Sequence, residues 1–172
     1  MTTLRLPWAP IQARGEIAVV LVATPETRAA GGLTTDGYAQ AERLGSHLRG
    51  RLDGLWCADN PGARQVARCM ETPEVGPSVA HGLRLTSAPG RRLHPAPADP
   101  EAVALLRRLG ANSQPGELQV IVADGELISA LLEDAVGLPR WRRAPTPPAG
   151  CRTLCWSQQG RWALTSGVWM PA

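Results

Sequence analysis

The sequence predicts an α/β protein: a three-layer sandwich in which a mostly parallel sheet carries helices on both faces and an antiparallel hairpin closes one edge. Three observations lead there. Residues 17–22 are a continuous apolar run rich in Val and Ile, which is how a strand buried on both faces of a parallel sheet reads, and residues 118–123, Leu-Gln-Val-Ile-Val-Ala, are a further clear strand. Segments with apolar residues at 3–4 spacing alternate with such runs, and strand–helix alternation builds parallel, helix-covered sheets. Residues 151–157 and 162–166 are separated only by the turn at Gln158-Gln159-Gly160, so the last two strands form a hairpin.

The elements follow in order. The first strand ends at Pro25, and Gly31-Gly32 is loop. Residues 34–48 begin with threonines suited to capping and place Tyr38, Ala41, Leu44 and Leu48 on one stripe, with Gly50 as the stop; this is an amphipathic helix. Residues 52–57 read as a second strand. Asn60 caps and Pro61 starts a second helix that runs to Met70. Residues 72–100 are irregular and rich in Pro and Gly, with one short strand near Leu83-Arg84-Leu85. Asp99-Pro100 opens a third helix over 101–109, and the strand at 118–123 leads to a helix at 127–136 that stops before Gly137. Residues 140–150 contain three prolines and form a loop. No repeat or linker divides the chain, so residues 1–172 read as one domain with 72–100 as an irregular insertion.

Composition narrows the function classes. The basic residues are eighteen arginines with no lysine, interleaved with fifteen acids for a net charge of +3, which does not describe a nucleic-acid or membrane surface. No stretch approaches a membrane span and residues 1–14 carry no targeting pattern, so the expected location is cytoplasmic. In that compartment Cys57, Cys69, Cys151 and Cys155 are expected to be buried thiols. Cys151 and Cys155 share one face of a strand but lack the further ligands of a zinc site, and neither metal nor cofactor is expected.

Four motifs carry a resemblance. Leu21-Val22-Ala23-Thr24-Pro25-Glu26-Thr27 is followed by Leu33-Thr34-Thr35-Asp36-Gly37-Tyr38-Ala39-Gln40-Ala41. Next come Leu52-Asp53 through Ala58 and Gly62-Ala63-Arg64-Gln65-Val66-Ala67, and then Ile121-Val122-Ala123-Asp124-Gly125-Glu126-Leu127-Ile128. In this order they resemble the histidine phosphatase, or phosphoglycerate mutase-like, superfamily over nearly the whole chain, most weakly in residues 72–100. The family's first motif reads Leu-Val-Arg-His-Gly-Glu-Thr and its last Val-Val-Ser-His-Gly. Its chemistry uses a nucleophilic histidine, two arginines and a second histidine around the phosphoryl group, with an acid that protonates the leaving oxygen. The resemblance places the first arginine at Ala23, the nucleophile at Thr24, the second arginine at Gly62 and the second histidine at Asp124. The acid's region reads Leu83-Arg84-Leu85-Thr86, without a carboxylate. Phosphoryl transfer requires dense fixed positive charge, and these positions hold neutral groups and an acid.

The expected function is therefore that of a pseudophosphatase with a binding, regulatory or structural role. The alternatives are an enzyme of different chemistry using Asp124 or Glu126 as acid–base with Thr24 as a hydrogen-bonding group, and a weak phosphatase or mutase. Glu26 and Thr27 are expected to brace the loop after the first strand, and Asp124 and Glu126 suit a helix N-terminus on dipole grounds alone. His47 is placed on the solvated face of its helix, and His81 and His94 fall in the Pro-rich stretch and are expected on a surface loop, one of them reaching the pocket only if that stretch folds over it. Arg91-Arg92 and Arg107-Arg108 read as solvated, whereas Arg140-Trp141-Arg142-Arg143 is the candidate partner surface, since Trp and Arg dominate interface hot spots. The partner is an unidentified protein or small molecule. Trp156, Trp162 and Trp169 are expected to pack the edge hairpin, whose open strand is also where a homodimer could pair.

Overall fold

The computed structural model describes residues 6–86, 96–137, 145–165 and 167–171. Six strands form one sheet in the order β3-β2-β4-β1-β5-β6: β1 (Ile17–Ala23), β2 (Gly54–Ala58), β3 (Ser78–Ala80), β4 (Leu118–Ala123), β5 (Cys151–Trp156) and β6 (Trp162–Leu164). The first four are parallel to their neighbours, while β5 is antiparallel to β1 and β6 to β5. β1 and β4 are buried at every residue, as befits central strands; β1 is wholly apolar and β4 is apolar except for the buried Gln119.

Helices α2 (Thr35–Leu48) and α3 (Pro61–Met70) connect strands that step one way across the sheet, and α4 (Pro100–Asn112) steps back. Right-handed crossovers therefore place α2 and α3 on one face and α4 on the other. The contacts of α2 with α3, and of α5 (Gly125–Val136) with α4, agree with that division. The core between the layers is aliphatic, with Leu21, Leu44, Leu48, Leu106, Ile121, Leu127 and Leu131 fully buried. No helix among the described residues is long and apolar enough to cross a membrane.

Local signals explain the helix starts. Thr34 Oγ1 accepts the Gly37 N–H at 3.0 Å, Asn60 Oδ1 the Ala63 N–H at 2.9 Å and Asp124 Oδ1 the Leu127 N–H at 2.9 Å. Gly137 ends α5 at φ 70°, the left-handed conformation that glycine adopts without strain.

The structure also corrects several expectations. The short strand of the irregular region lies at Ser78–Ala80, not at 83–85, and Leu85 makes only an isolated bridge to Ala98. Ser78-Val79-Ala80 is too short to show periodicity, and pairing with β2 makes it a strand. A helix not foreseen in the sequence, α1 (Ala9–Ala13), buries Ile11, with Pro10 in its first turn where no N–H is missed. α4 continues to Asn112 rather than stopping at Leu109. Tyr38 is 50% exposed, and the buried face of α2 uses Gly37 instead. His47 is half-buried rather than solvated, its ring edge-on to Trp169 at 5.2 Å, and Trp169 in turn meets Trp8 at 5.4 Å. The hairpin tryptophans Trp156 and Trp162 pack against each other at 4.7 Å, and all four cysteines are buried and unbridged.

Candidate functional site

Open parallel sheets bind ligands beyond the carboxyl ends of their strands. Strand register fixes what stands there: Ala23 pairs with Ala123, Cys57 with Val122 and Ala58 with Ala80. The next residue of each strand then forms a row across the edge, Thr24 after β1, Asp124 after β4, Asp59 after β2 and His81 after β3.

One half of this edge is packed shut. Ala23 is fully buried, its N–H donating to Gly150 at 2.9 Å and its carbonyl accepting from Ala149 at 3.0 Å. The Thr24 N–H donates to the Ala123 carbonyl at 2.8 Å, while Thr24 Oγ1 is buried without a hydrogen-bond partner among the described residues. Gly62 is buried in the first turn of α3, against the loop after β1. A Cβ there would lie 2.9 Å from Thr27 Cγ2, 3.0 Å from the Gly31 carbonyl oxygen and 3.1 Å from Thr24 Cγ2. The seam thus has no room for even a methyl group without movement, and an arginine cannot enter it as it stands.

The residues around this seam that match the family motifs have architectural contacts. Leu33 is buried and its N–H donates to Gln65 Oε1 at 2.7 Å, tying the loop to α3. Thr34 caps α2, and a Cβ on Gly37 would fall 2.3 Å from the Glu26 carbonyl oxygen. Asp53 Oδ2 accepts the Leu118 N–H at 2.9 Å, stitching β2 to β4. Gly125 lies where a Cβ would meet the Thr146 carbonyl oxygen at 2.1 Å. Glu26 and Thr27 fit the bracing role: the Glu26 carbonyl accepts the Thr34 N–H at 3.0 Å, and Thr27 bridges to Leu33.

The other half of the edge is open. A cleft of about 450 Å³ is lined by Asp59, His81, Leu83, Arg84, Leu85 and Asp124, among others. Asp59 Oδ2 lies 2.6 Å from His81 Nδ1, and Asp59 Oδ1 accepts from Arg64 Nη2. The Arg64 guanidinium first, and then His81, hold the Asp59 carboxyl below the usual aspartate range, so it is ionised and His81 Nδ1 is the donor. Arg84 Nε donates to Asp99 Oδ2 at 3.2 Å, while Asp99 Oδ1 accepts the Glu101 N–H and caps α4. That backbone bond, then Arg84, lowers the Asp99 pKa as well. His81 also borders a groove of about 430 Å³ that runs along α4.

The predicted residues therefore separate. Thr24 and Asp124 stand on the same edge; Glu26 and Thr27 support the loop behind it, and Glu126 sits in the first turn of α5. Arg91, Arg92, His94 and the candidate partner surface Arg140-Trp141-Arg142-Arg143 lie outside the described residues. Sequence reasoning missed the Asp59–His81 pair. Its signal was available in part, because Asp59 directly follows a legible strand, but His81 follows the strand that was misplaced. Among the described residues no three His, Cys, Asp or Glu side chains converge as a metal site.

Fold and edge together define the class: an α/β protein with its cleft at the carboxyl edge of a mostly parallel sheet. More particularly, the fold is phosphoglycerate mutase-like, as structural comparison shows. A mycobacterial protein called hydrolase 1 superposes with a TM-score of 0.73 at 20% identity, covering 89% of this chain and 98% of its own. A mycobacterial glucosyl-3-phosphoglycerate phosphatase, solved in complex with VO3, gives 0.70 at 22% identity, covering 90% and 99%. A phosphoserine phosphatase from Entamoeba histolytica, in complex with 3-phosphoglyceric acid, gives 0.65 at 14% identity, covering 87% and 95%. No family profile and no curated protein matches the sequence. The likeness is therefore one of fold.

Proposed function

We propose that this chain is a pseudophosphatase: a histidine-phosphatase fold that does not perform phosphoryl transfer and serves by binding, in a regulatory or structural role. One observation carries the reading. Motif residues that hold the fold together, Leu33, Thr34, Gly37, Asp53, Gln65 and Gly125, are present and engaged, while the four positions the family's chemistry uses hold Ala23, Thr24, Gly62 and Asp124. Loss of catalytic groups with retention of architectural ones is what selection for the fold without the reaction leaves behind. The electrostatics agree, since an exposed carboxylate at Asp124 repels a phosphoryl dianion, and Ala23, Thr24 and Gly62 supply no fixed positive charge to hold one.

The alternative of a different reaction run by Asp124 gains little, because Oδ1 of that residue caps α5. Residues 1–172 act as one domain in this reading. The test is direct: the purified protein, incubated with labelled phosphoryl donors and assayed on p-nitrophenyl phosphate, forms no phosphoenzyme and turns over at background. A thermal-shift screen of metabolites then seeks its ligand, and sugar phosphates are expected to give no shift.

A further inference from the structure

We infer that the carboxyl-edge cleft and the groove along α4 together bind a neutral amphiphile, a head rich in hydroxyl groups on an apolar tail. The inference deepens the pseudophosphatase reading and rests on it in one respect: the site is taken as a place of binding, not of phosphoryl transfer. The two spaces adjoin, because His81 and Leu83 border both. Their volumes, about 450 Å³ for the cleft and 430 Å³ for the groove, lie within the range of small-molecule sites. The groove is the apolar end. Trp56 and Ala80 line it from the sheet and Ala102 and Leu105 from α4; Leu83, Ala102 and Leu105 are buried, while Trp56 and Ala80 are half-buried. Such a surface favours an alkyl or ring tail.

Charge and hydrogen bonding select the head. In the cleft Asp59 is paired with Arg64, and Arg84 with Asp99. Asp124 stands at the N-terminus of α5, where the helix dipole offsets part of its charge and an exposed carboxylate holds a cation only weakly. Glu101 and Arg108, along the groove, are opposite in sign and two helical turns apart. A charged head would therefore lose hydration without gaining a dedicated counter-ion. Hydroxyls fit better. Asn60 uses Oδ1 on the Ala63 N–H and keeps its amide donors, Arg84 uses Nε on Asp99 and keeps its Nη donors, and Asp124 keeps the oxygen that does not cap α5. Donors and acceptors thus line one cleft, and a hydroxyl both donates and accepts. His81 is 77% exposed where the two spaces meet, and a hydroxyl can bond its ring in either protonation state.

The test titrates the whole protein with n-hexyl β-D-glucoside below its micelle concentration, followed by the Trp56 indole resonance in NMR, assigned with Trp56→Phe. Saturable binding is expected. Methyl β-D-glucoside, which lacks the tail, is expected to bind roughly tenfold or more weakly. Hexylammonium and hexyl phosphate, which carry charged heads, are expected to bind roughly fivefold or more weakly. Affinity for the hexyl glucoside should stay within about twofold between about pH 5.5 and pH 8, because its hydroxyls serve either form of the imidazole. Ala104→Trp, at an exposed position of α4 beside the groove, should lower affinity to that of methyl glucoside and leave the melting temperature near that of the wild type. Absence of hexyl glucoside binding would overturn the inference, as would equal affinity for the two glucosides, tighter binding of either charged probe, a larger pH dependence, or unaltered affinity in Ala104→Trp. If the hexyl glucoside fails and no phosphatase turnover is found, the pseudophosphatase reading stands alone; turnover of p-nitrophenyl phosphate sinks that reading whatever the probes do.

Discussion

The two halves of the sheet's carboxyl edge are built from adjacent strands yet have opposite character. Between β1 and α3, Thr24, Thr27, Gly31 and Gly62 close to van der Waals contact, and the buried Thr24 hydroxyl has no partner among the described residues. Beyond β2 and β3, Asp59, His81 and Arg84 are exposed, paired and open to a cleft. The difference teaches that the two halves of one sheet edge are shaped independently by the side chains that follow each strand. Small residues at Thr24, Gly31 and Gly62 let packing fill one half, while the polar side chains that follow β2 and β3 border an open cleft in the other.

Substitutions on each side should therefore behave differently. The largest effect is expected from Gly62→Arg, which places the arginine that the resemblance to histidine phosphatases would put there. Overpacking plus a buried guanidinium should cost about 3 kcal/mol or more in denaturant unfolding, and a neutral result would mean the seam can open. Asp124→Ala removes a helix cap and should cost about 1 kcal/mol, whereas Asp124→Asn should be nearly neutral; equal losses would show that charge rather than capping matters. Thr24→Val exchanges the unpartnered hydroxyl for a methyl and should stabilise the fold by up to about 1 kcal/mol, a loss instead revealing a partner for Oγ1. In the open half, His81→Ala should change stability by no more than about 0.5 kcal/mol, since its contacts are exposed. Asp59 and Asp99 both have folded pKa values depressed below the unfolded aspartate value of about 3.9, so what they contribute is present above that value and fades as the pH falls through their folded pKa. Asp59→Asn should then lower stability slightly and evenly above about pH 5 and shallow the acid limb below it.

Much of the fold could be read from local chemistry. β1 announced itself by an unbroken aliphatic run and β4 by one interrupted only at Gln119, and Thr34, Asn60 and Asp99 by side chains whose geometry caps helices. What failed were elements defined by distant partners. β3 exists because β2 offers an edge, α1 because Trp8 and Ile11 find a core, and Tyr38 is displaced from the buried face of α2 because Gly37 must pass close to the Glu26 carbonyl. The candidate site divides along the same line. Thr24, Gly62 and Asp124 were placed by motif order, but the pairing of Asp59 with His81 spans 22 residues and one unforeseen strand.

The central proposal is that this phosphoglycerate mutase-like fold performs no phosphoryl transfer, and trapping of a phosphoenzyme tests it most directly. Purified protein exposed to a labelled phosphoryl donor, quenched and examined by intact mass, is expected to show the unmodified mass and no turnover of p-nitrophenyl phosphate above the buffer rate. A stoichiometric gain of one phosphoryl group, released again in a catalytic cycle, would contradict it.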